Sequence, residues 1–499
     1  MSLATVQTRA KQGIEAPAVT IEVHLSNGLP AFHIVGLPET AVKESKDRVR
    51  SAIINSHFEF PARRITVNLA PAELPKEGSR FDLAIAIGIL AASKQIPPEL
   101  LADYEFIGEL ALSAALRPVA AVLPSALRCA ASGRKLILSR DNANEAALVD
   151  ELIVLPAAHL LEVSAHLHQR QALEPWSKKI TPSPASIAQL DEVVGQQHAK
   201  RALEIAASGG HHLLLYGPPG TGKIMLASRL PNLLPPLDNH QALQVTAIHS
   251  VAGKGNIHQH EQRPFRTPHH SASAAAMVGG GSNPKPGEIS LAHEGVLFLD
   301  ELPEFQRQVL EMLREPLESG EITISRVANQ ICYPARFQLI AAMNPCPCGY
   351  LGSHRCICSD EQINRYRSRL SGPLMDRIDL QVQVSAIDNQ QLLSQHKQPT
   401  SETTEVVQQR VSEARDIQLN RQGKINSALN SQQLKSLCPL NSEQRNFMDQ
   451  AINHYALSTR GFYRLLKVAR TIADLAGLEK PTLTQYQEAL SYRPIISHE

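Results

Sequence analysis

The chain has 499 residues, enough for roughly two to four domains, and its composition of 43% hydrophobic and 19% charged residues is typical of globular proteins. A formal net charge of +1 excludes adhesion to nucleic acid through bulk charge, although it permits a local basic surface such as the lining of a ring pore. Because the sequence has no run of about 18 apolar residues and opens without a secretory pattern, we expect a cytoplasmic protein that makes no contact with a membrane.

Residues 1–168 are predicted to form an α/β domain. Apolar residues that alternate or run together indicate strands at 18–25, 64–69, 135–138 and 152–155. The longer apolar run at 81–92 indicates a buried helix. Residues 169–188 form a predicted linker, because Pro175, Pro182 and Pro184 interrupt periodic structure there.

Residues 189–385 repeat the pattern of strand, glycine loop and helix that is typical of an α/β domain with a parallel sheet. Apolar runs predict its strands at 212–216, 243–247, 296–299 and 337–342. Residues 386–499 are predicted to form a helical lid, since apolar residues recur at helical spacing at 459–477 and 485–490.

A glycine-rich loop follows the first of these core strands directly. Its glycines allow backbone amides to turn towards an anion, and the lysine that ends it adds a positive charge next to the outer phosphates of a nucleotide. The loop therefore predicts an ATP site, and the alternative is a glycine turn that joins strand to helix without a ligand. The residues expected to bind the nucleotide are Gly217, Pro218, Pro219, Gly220, Thr221, Gly222 and Lys223, with Ile224 as the next position.

Position 224 departs from the phosphate-loop pattern, which has Ser or Thr after the lysine to bind Mg²⁺ through its hydroxyl group. Ile224 has no oxygen to offer a metal ion. Losing a hydrogen bond to a charged group costs about 1.5–3 kcal/mol, and each ~1.36 kcal/mol of barrier changes a rate about tenfold. We therefore expect weakened or silent ATP hydrolysis, and the alternative is a tolerated natural variant or a sequence error.

The strand at 296–299 ends in two carboxylates, Asp300 and Glu301. Asp300 is placed to hold Mg²⁺ through water, and Glu301 to orient and deprotonate the attacking water. The alternative for Asp300 is a helix cap. Asn344 closes the strand at 337–342, where its amide suits contact with the γ-phosphate or the attacking water, although Asn before Pro is also a turn signal.

Two arginines are candidates for stabilising charge in the transition state. The planar guanidinium of Arg377 suits a phosphate bound by a neighbouring subunit, and the alternative is a surface ion pair with Asp376 or Asp379. Arg460 could reach back from the helical lid. Its competitors are Arg464 and Arg470.

Four cysteines crowd into a short segment as two Cys-x-Cys pairs, Cys346 with Cys348 and Cys356 with Cys358. Four thiolates suit tetrahedral Zn²⁺ in a structural role, although the spacing within each pair is tighter than usual. His354 is a possible substitute ligand. The alternative is a loop with four reduced thiols.

These motifs and several long strings of sequence together resemble the ComM/YifB family, the magnesium-chelatase-like branch of the AAA+ ATPases. The strings lie at 23–30, 34–45, 69–78, 263–270, 279–293 and 344–350. The resemblance implies a hexameric ring that acts as an ATP-driven DNA helicase, promoting branch migration as incoming DNA is integrated during natural transformation. By the same resemblance, the roles given above fall to Lys223, Asp300, Glu301, Asn344, Arg377 and Arg460.

The N-terminal domain resembles the proteolytic domain of Lon proteases. Residues 75–82 are similar to the loop that carries the Lon serine, but Arg80 stands where the nucleophile is expected, beside Ser79. The segment expected to supply the lysine reads 122–127 and contains none. Without a base beside it a serine is a weak nucleophile, so we expect no proteolysis.

Two segments could hold DNA in the pore of such a ring. A predicted hairpin at 320–334 carries Arg326 at its tip, and the stretch 263–285 carries Arg266 and Lys285. Contacts with phosphate position a protein without reading sequence, so we expect branched or single-stranded DNA to bind with little sequence preference. The alternative is that both segments are packing loops between subunits.

Three functions remain open. The first is a DNA branch-migration motor. The second is a motor for metal insertion like the related chelatase subunit, against which the Lon-like domain and the cysteine loop argue. The third is a nucleotide-gated DNA-binding or assembly subunit with little turnover, which Ile224 favours.

Overall fold

The computed structural model describes residues 2–177, 189–254, 260–281, 284–325, 330–386 and 402–493. Most of the proline-rich linker and the predicted hairpin tip at Arg326 lie outside these ranges. The chain divides into two compact units, Met1–Ser183 with Asn239–His260, and Pro184–Asp238 with Glu261–Glu499. The domain boundaries expected at 168, 188 and 385 stay predictions.

A seven-stranded mixed sheet forms the centre of the first unit. The strands of this unit are β1 Ser2–Arg9, β2 Ala18–Ser26, β3 Ala31–Val35, β4 Arg64–Ala70, β5 Tyr104–Ile107, β6 Glu109–Leu110, β7 Leu116–Arg117, β8 Lys135–Ser139 and β9 Val154–Ala157, with β6 and β7 forming a separate hairpin. The order in the sheet is β3-β4-β2-β1-β5-β8-β9. β1 pairs antiparallel with β2 and parallel with β5, so the strand pairing changes from antiparallel to parallel at β1, in the middle of the sheet. The four strands predicted for this region are confirmed, with β9 starting two residues later than expected.

The predicted apolar helix is also confirmed, and every one of its residues is buried against the sheet. A helix that is apolar on all sides is stable only when it is covered on all sides. This helix is α3, and the helices of the unit are α1 Thr40–Lys43, α2 Ser45–Asn55, α3 Asp82–Ala92, α4 Val122–Ala131, α5 Ala143–Ala146, α6 Leu160–Leu167 and α10 Asn239–Val251, with short 3₁₀ turns at Leu101–Asp103 and Arg140–Asn142.

One predicted strand is wrong. Residues 243–247 belong to helix α10, not to the core sheet, and α10 packs on α4 of the first unit, where Ala247 joins the apolar cluster. A short apolar run does not distinguish a strand from a buried helix by periodicity alone. Here the apolar positions Leu243, Ala247 and Val251 fall four residues apart, which places them on one face of a helix.

A five-stranded parallel sheet forms the centre of the second unit. Its strands are β10 Leu213–Tyr216, β11 Phe265–Arg266, β14 Val296–Leu299, β17 Gln338–Met343 and β18 Leu380–Gln383, beside two antiparallel hairpins, β12 Gly279–Gly280 with β13 Lys285–Pro286 and β15 Glu321–Ser325 with β16 Gln330–Pro334. The order in the sheet is β11-β14-β17-β10-β18. The inner strands β14 and β17 are fully buried, as expected when helices cover both faces of a parallel sheet.

The C-terminal part of this unit is helical, as predicted, and shares one apolar cluster with the sheet, which contains Leu213, Ile340, Leu465 and Tyr486. The helices are α7 Gln197–Gly209, α8 Lys223–Ala227, α9 Leu230–Leu233, α11 Ala274–Val278, α12 Glu288–Leu291, α13 Arg307–Met312, α14 Pro316–Ser319, α15 Asp360–Arg367, α16 Gly372–Met375, α17 Thr404–Gln422, α18 Ser431–Leu437, α19 Ser442–His454, α20 Thr459–Leu475 and α21 Leu483–Ser491, with 3₁₀ turns at Leu302–Glu304 and Asn426–Ala428. Within the described ranges, each helix is either too short or too polar to reach across a lipid bilayer.

Candidate active site

The candidate site lies where three parallel strands end. The glycine loop follows β10, the acidic pair follows β14, and Asn344 follows β17, which lies between the other two strands. The register aligns Tyr216 with Met343 and Leu299 with Ala341, so the three strands end at the same edge of the sheet. The crevice beyond the carboxyl ends of parallel strands is where open α/β sheets bind ligands.

Lys223 is fixed at this edge by three oxygen acceptors. Its Nζ donates to the carbonyl of Gly217 at 2.7 Å, to the carbonyl of Pro218 at 2.8 Å and to Oδ1 of Asn344 at 3.1 Å. Burial lowers the pKa of Lys223, while the carboxylates of Asp300 and Glu301 act in the opposite direction. The structure thus brings the predicted lysine, sensor asparagine and acidic pair together.

The glycine loop has backbone conformations and close contacts that require glycine at three positions. A Cβ atom at Gly217 would stand 2.1 Å from the carbonyl oxygen of Val384, so only glycine fits this close approach. Gly220 and Gly222 have φ angles of +76° and +83°, in the left-handed region that favours glycine. The Thr221 hydroxyl donates to the carbonyl of Pro218 at 3.0 Å, which closes the turn ahead of α8.

Ile224 lies in the first turn of α8 and is 55% exposed. Its neighbour Met225 is also exposed, at 46%. An isoleucine with this exposure is not held by core packing, so a hydroxyl-bearing residue would fit the same position. Nothing in the structure explains why this position lacks the expected hydroxyl.

The acidic pair includes an unusual backbone conformation. Glu301 has φ 52° and ψ 48°, which is the left-handed region and is uncommon outside glycine. The N–H of Glu301 donates to Oδ1 of Asp300 at 2.9 Å, and the Glu301 side chain is exposed at the sheet edge. Backbone strain of this kind clusters at functional sites, where the surrounding structure holds a side chain in its working direction.

Tyr366 on α15 is a further residue of the site that the sequence pattern did not indicate. Its side chain is buried with its hydroxyl group beside the backbone of Asn344, and burial raises the pKa of that hydroxyl group. The tyrosine therefore helps to fix Asn344, whose own side chain accepts from Lys223. No local signal around residue 366 could have identified this contact, because it depends on how the intervening loop folds.

The two candidate arginines lie away from Lys223. Arg377 precedes β18 while the glycine loop follows the parallel strand β10, so they lie at opposite edges of the sheet. Arg377 forms an ion pair with Glu318, not with the predicted aspartates, and donates to the carbonyl of Pro373 at 2.6 Å. A cavity of about 200 Å³ beside it is lined by Arg377, Arg460, Arg464, Lys467, Glu318 and Asp376, among others.

The competitors of Arg460 have structural partners. Arg464 donates to Asp379 at 2.6 Å and to the carbonyl of Arg377 at 2.7 Å. Arg470 is almost fully buried in an ion pair with Asp474. Among these three arginines, Arg460 is the exposed one in the described structure.

The four clustered cysteines form a compact group. Sγ of Cys346 lies 3.4 Å from that of Cys348 and 3.9 Å from that of Cys356, and all four sulfur atoms, including that of Cys358, lie within 4.8 Å of one another. Four thiolates at about 2.3 Å from a tetrahedral zinc ion would be about 3.8 Å apart, so the group fits Zn²⁺. Hydrogen bonds from the Ile357 and Tyr350 amides lower the pKa of the Cys348 thiol to about 6. His354 is not part of the group.

The residues expected to contact DNA fall into three different situations. Arg266 forms a bidentate ion pair with Glu288, at 2.7 and 2.8 Å, so its charge is already matched. Lys285 is exposed on the short strand β13. Arg326 lies outside the described residues, although the two strands of the hairpin that precede and follow it are confirmed.

In the first unit, the residues at the two positions of the Lon-like motif contact each other. Arg80 is buried and its guanidinium donates to the hydroxyl of Ser125 at 2.8 Å, within the segment where a lysine was expected. The hydroxyl of the adjacent Ser79 donates to Glu109. The absence of serine–lysine protease chemistry stays a prediction.

Comparison with known proteins identifies the class. Three family models match the chain: "Magnesium chelatase, subunit ChlI" at residues 189–392, "Subunit ChlI of Mg-chelatase" at 21–142 and "Magnesium chelatase, subunit ChlI C-terminal" at 401–493. Together with the parallel sheet and the glycine loop, they define a magnesium-chelatase-like AAA+ ATPase, a class that uses ATP and Mg²⁺.

Individual relatives narrow this to a family. The chain is 52% identical to competence protein ComM of Haemophilus influenzae over 99% of this chain and 98% of that protein. It is also 52% identical to protein YifB of Escherichia coli, again over 99% and 98%. The chain therefore belongs to the ComM/YifB family. A weaker similarity, 26% identity over 35% of each chain, relates part of it to Lon protease 2 of Bacillus subtilis.

Proposed function

We propose that the protein is an ATP-hydrolysing motor that acts on DNA as a hexameric branch-migration helicase during the integration of incoming DNA. The observation that carries the proposal is the convergence of Lys223, Asn344 and the acidic pair at one edge of a parallel sheet. The proposed action on DNA is supported by membership of the family, because one relative is named a competence protein.

In this proposal, each residue of the edge has one task. The loop amides and Lys223 bind the phosphates of ATP, and Asp300 holds Mg²⁺ through water. Glu301 orients and deprotonates the attacking water, and Asn344 contacts that water or the γ-phosphate. Bound Mg²⁺ supplies neutralisation of the charge on the phosphate oxygens. Because Ile224 offers no oxygen ligand, Asp300 and Lys223 carry more of this charge stabilisation than in a chain with Ser or Thr there.

The arginines support a ring. Arg377 and Arg460 lie near the opposite edge of the sheet from Lys223, so we propose that they complete the site of a neighbouring copy and not their own. Head-to-tail contacts of this kind close into rings, which suits a homo-hexamer.

DNA would be held by backbone contacts. The hairpin β15–β16 and the exposed Lys285 remain candidates for phosphate contact, as does Arg326, which lies outside the described residues. Arg266 would contribute only if its ion pair with Glu288 opened, because a matched charge attracts phosphate weakly. Binding of branched or single-stranded DNA with little sequence preference follows.

We further propose that Cys346, Cys348, Cys356 and Cys358 hold a structural zinc ion. The close packing of the four sulfur atoms supports tetrahedral coordination. Because thiolate sites of this type persist in a reducing compartment, we also propose a cytoplasmic location.

A second candidate is a nucleotide-gated DNA-binding or assembly subunit with little turnover. The exposed Ile224 favours it, since nucleotide binding by the loop amides and Lys223 does not require the missing hydroxyl group. A chelatase-type motor for metal insertion is a third candidate, supported by the descriptions of the matching family models.

The experiment is a comparison of Mg²⁺-ATP turnover on forked DNA between the protein and its Ile224→Thr variant. If Ile224 weakens Mg²⁺ binding, restoring the hydroxyl should raise turnover about 10- to 100-fold, from about 1.5–3 kcal/mol of recovered interaction. Met225→Thr is the matched control, because it removes a neighbouring exposed apolar side chain from the same helix. Glu301→Gln should abolish turnover and keep ATP binding. If the protein binds no adenine nucleotide, the proposal is overturned. If the wild type and the Ile224→Thr variant both bind ATP but neither hydrolyses it, the second candidate is favoured.

A further inference from the structure

The cysteine loop touches the nucleotide loop directly. Gly349 lies between the two cysteine pairs, and a Cβ atom there would stand 2.7 Å from Cδ of Pro219 and 3.9 Å from Cγ of Asn344. Contact at 2.7 Å is closer than real Cβ atoms allow, so a larger residue would have to displace Pro219. The proposed phosphate loop and the cysteine loop are therefore in direct van der Waals contact, through Pro219 and Gly349.

Both ends of the cysteine loop also connect to the site. Cys346 is buried and follows Asn344 by two residues, with the rigid Pro345 between them. Cys358 is followed at once by Ser359, which caps α15 in a capping box with Gln362. The buried tyrosine on this helix, Tyr366, places its hydroxyl group beside the backbone of Asn344.

A metal ion held by all four thiols would consequently cross-link three segments of the site. These are the end of the strand before Asn344, the helix that carries Tyr366, and the loop that packs on Pro219. A loop of this length with two glycines and no regular element has many conformations available, so it needs a cross-link to stay in one. The bond from the Cys348 N–H to Sγ of Cys358, at 3.4 Å, runs across the loop in the way that supports a metal ligand.

We propose that zinc in the four-cysteine loop is a positioning device for the nucleotide site, so that the metal content of the loop sets the affinity for ATP and its turnover. The inference rests on the proposed ATP site. It assigns to the zinc site a task beyond stabilising the fold: the cysteines and Gly349 are positioning residues that act through Asn344 and Pro219.

Gly349→Ala is the decisive variant, since it leaves all four thiols in place and crowds Pro219. We expect it to retain about one zinc ion per chain, measured by elemental analysis, and to bind a fluorescent ATP analogue at least about tenfold more weakly. Gly352→Ala is the matched control. Gly352 has a φ angle of +86°, nearly the same as the +85° of Gly349, but its Cβ position has no neighbour within 4 Å. Backbone strain is thus equal in the two variants and only the contact differs.

A second comparison tests the metal itself. Cys348→Ser should lose zinc and weaken binding of the ATP analogue, while Cys332→Ser should change neither, because Cys332 is an exposed thiol outside the cluster. Circular dichroism and the thermal midpoint monitor folding of each full-length variant.

The proposal is overturned if Gly349→Ala and Gly352→Ala bind the analogue equally well, or if zinc-free Cys348→Ser protein binds it as tightly as the wild type. Because the readouts are metal content and nucleotide affinity, the comparison remains decisive for a protein that binds ATP without hydrolysing it. In that case the motor proposal fails, while the positioning proposal is decided separately.

Discussion

At the scale of single residues, a cluster of polar side chains, most of them buried, lies next to the start of β10. Nε2 of His211 is 2.8 Å from the Thr471 hydroxyl, and its Nδ1 faces Asp379 at 3.4 Å. Asp379 also accepts from Arg464 at 2.6 Å. Although burial opposes its ionisation, the adjacent His211 ring and the charge of Arg464 hold the pKa of Asp379 well below its usual range. The carboxylate therefore fixes Arg464 next to the backbone of Arg377.

The neighbouring His212 gives a pH prediction. Its Nδ1 accepts from the N–H of Leu339 at 3.1 Å, which requires a neutral ring, and burial lowers its pKa from 6.5 to about 4 against the opposing effect of Asp379. Below pH 6.5 the His212 side chain is protonated in the unfolded chain, whereas in the folded chain it stays neutral down to about pH 4. The folded state is thus fully favoured above pH 6.5 and loses stability as the pH falls from 6.5 to about 4, by on the order of 3 kcal/mol.

The measurement is the thermal unfolding midpoint at about pH 7.5 and about pH 5.5, on either side of the ordinary histidine pKa. His212→Asn keeps an acceptor and cannot titrate, so it should reduce the drop in midpoint between the two pH values. His454→Asn changes an exposed histidine of the same unit and should leave the drop as in the wild type. An equal drop in all three proteins would contradict the prediction.

The residues that could be predicted from sequence share a local signal. The glycine loop at Lys223 and the carboxylates at Asp300 each follow an apolar strand, so their place at a sheet edge follows from the strands alone. Tyr366 and Gly349 contact the site across a loop whose path no local pattern encodes. The same limit applies to Arg377, whose partner is Glu318, 59 positions away in the chain.

At the scale of elements, α10 shows where a sequence pattern is ambiguous. Its apolar run predicts a strand of the core sheet, yet the segment belongs to the first unit, although its chain neighbours on both sides belong to the second. Its Ser250 hydroxyl donates to Glu145, and Ala247 lies in a cluster with Val122 and Cys129. The apolar run correctly predicted that the segment is buried, but it wrongly predicted a strand in place of a helix. A short buried segment can be apolar in either type of secondary structure, so its apolar run does not distinguish the two.

A charge placed on this face should release the helix. Ala247→Arg puts a guanidinium into the apolar cluster without a partner, at a cost on the order of several kcal/mol. We expect hydrogen exchange, measured by mass spectrometry, to accelerate across both α10 and α4. His240→Arg is the control, since it adds the same charge at an exposed position of the same helix. Unchanged exchange in α10 after Ala247→Arg would show that the packing contributes little.

At the scale of the whole molecule, the charged residues proposed for catalysis fall into two sets at opposite edges of one sheet. Lys223 and the acidic pair lie at the carboxyl edge of the sheet, while Arg377 and Arg460 line a cavity near its amino edge. A single chain cannot bring both to one phosphate without breaking the sheet between them. If the arginines act in catalysis, the working unit is an interface between two copies.

Mixing inactive variants tests this arrangement. Lys223→Ala and Arg377→Ala should each be inactive alone, but in the proposed ring a mixture of the two would contain interfaces where the intact loop of one copy meets the intact arginine of the next. With equal amounts and random assembly, about a quarter of the interfaces are whole, so turnover should recover to at most about a quarter of the wild-type rate. Mixing Lys223→Ala with Glu301→Gln should recover nothing, because both changes lie in the same chain's site and every interface keeps one defect. Recovery in both mixtures would contradict the assignment of Lys223 and Glu301 to one chain's site. Recovery in neither would show that Arg377 does not complete the site of a neighbouring copy, since only a residue supplied by a neighbour can be complemented in this way.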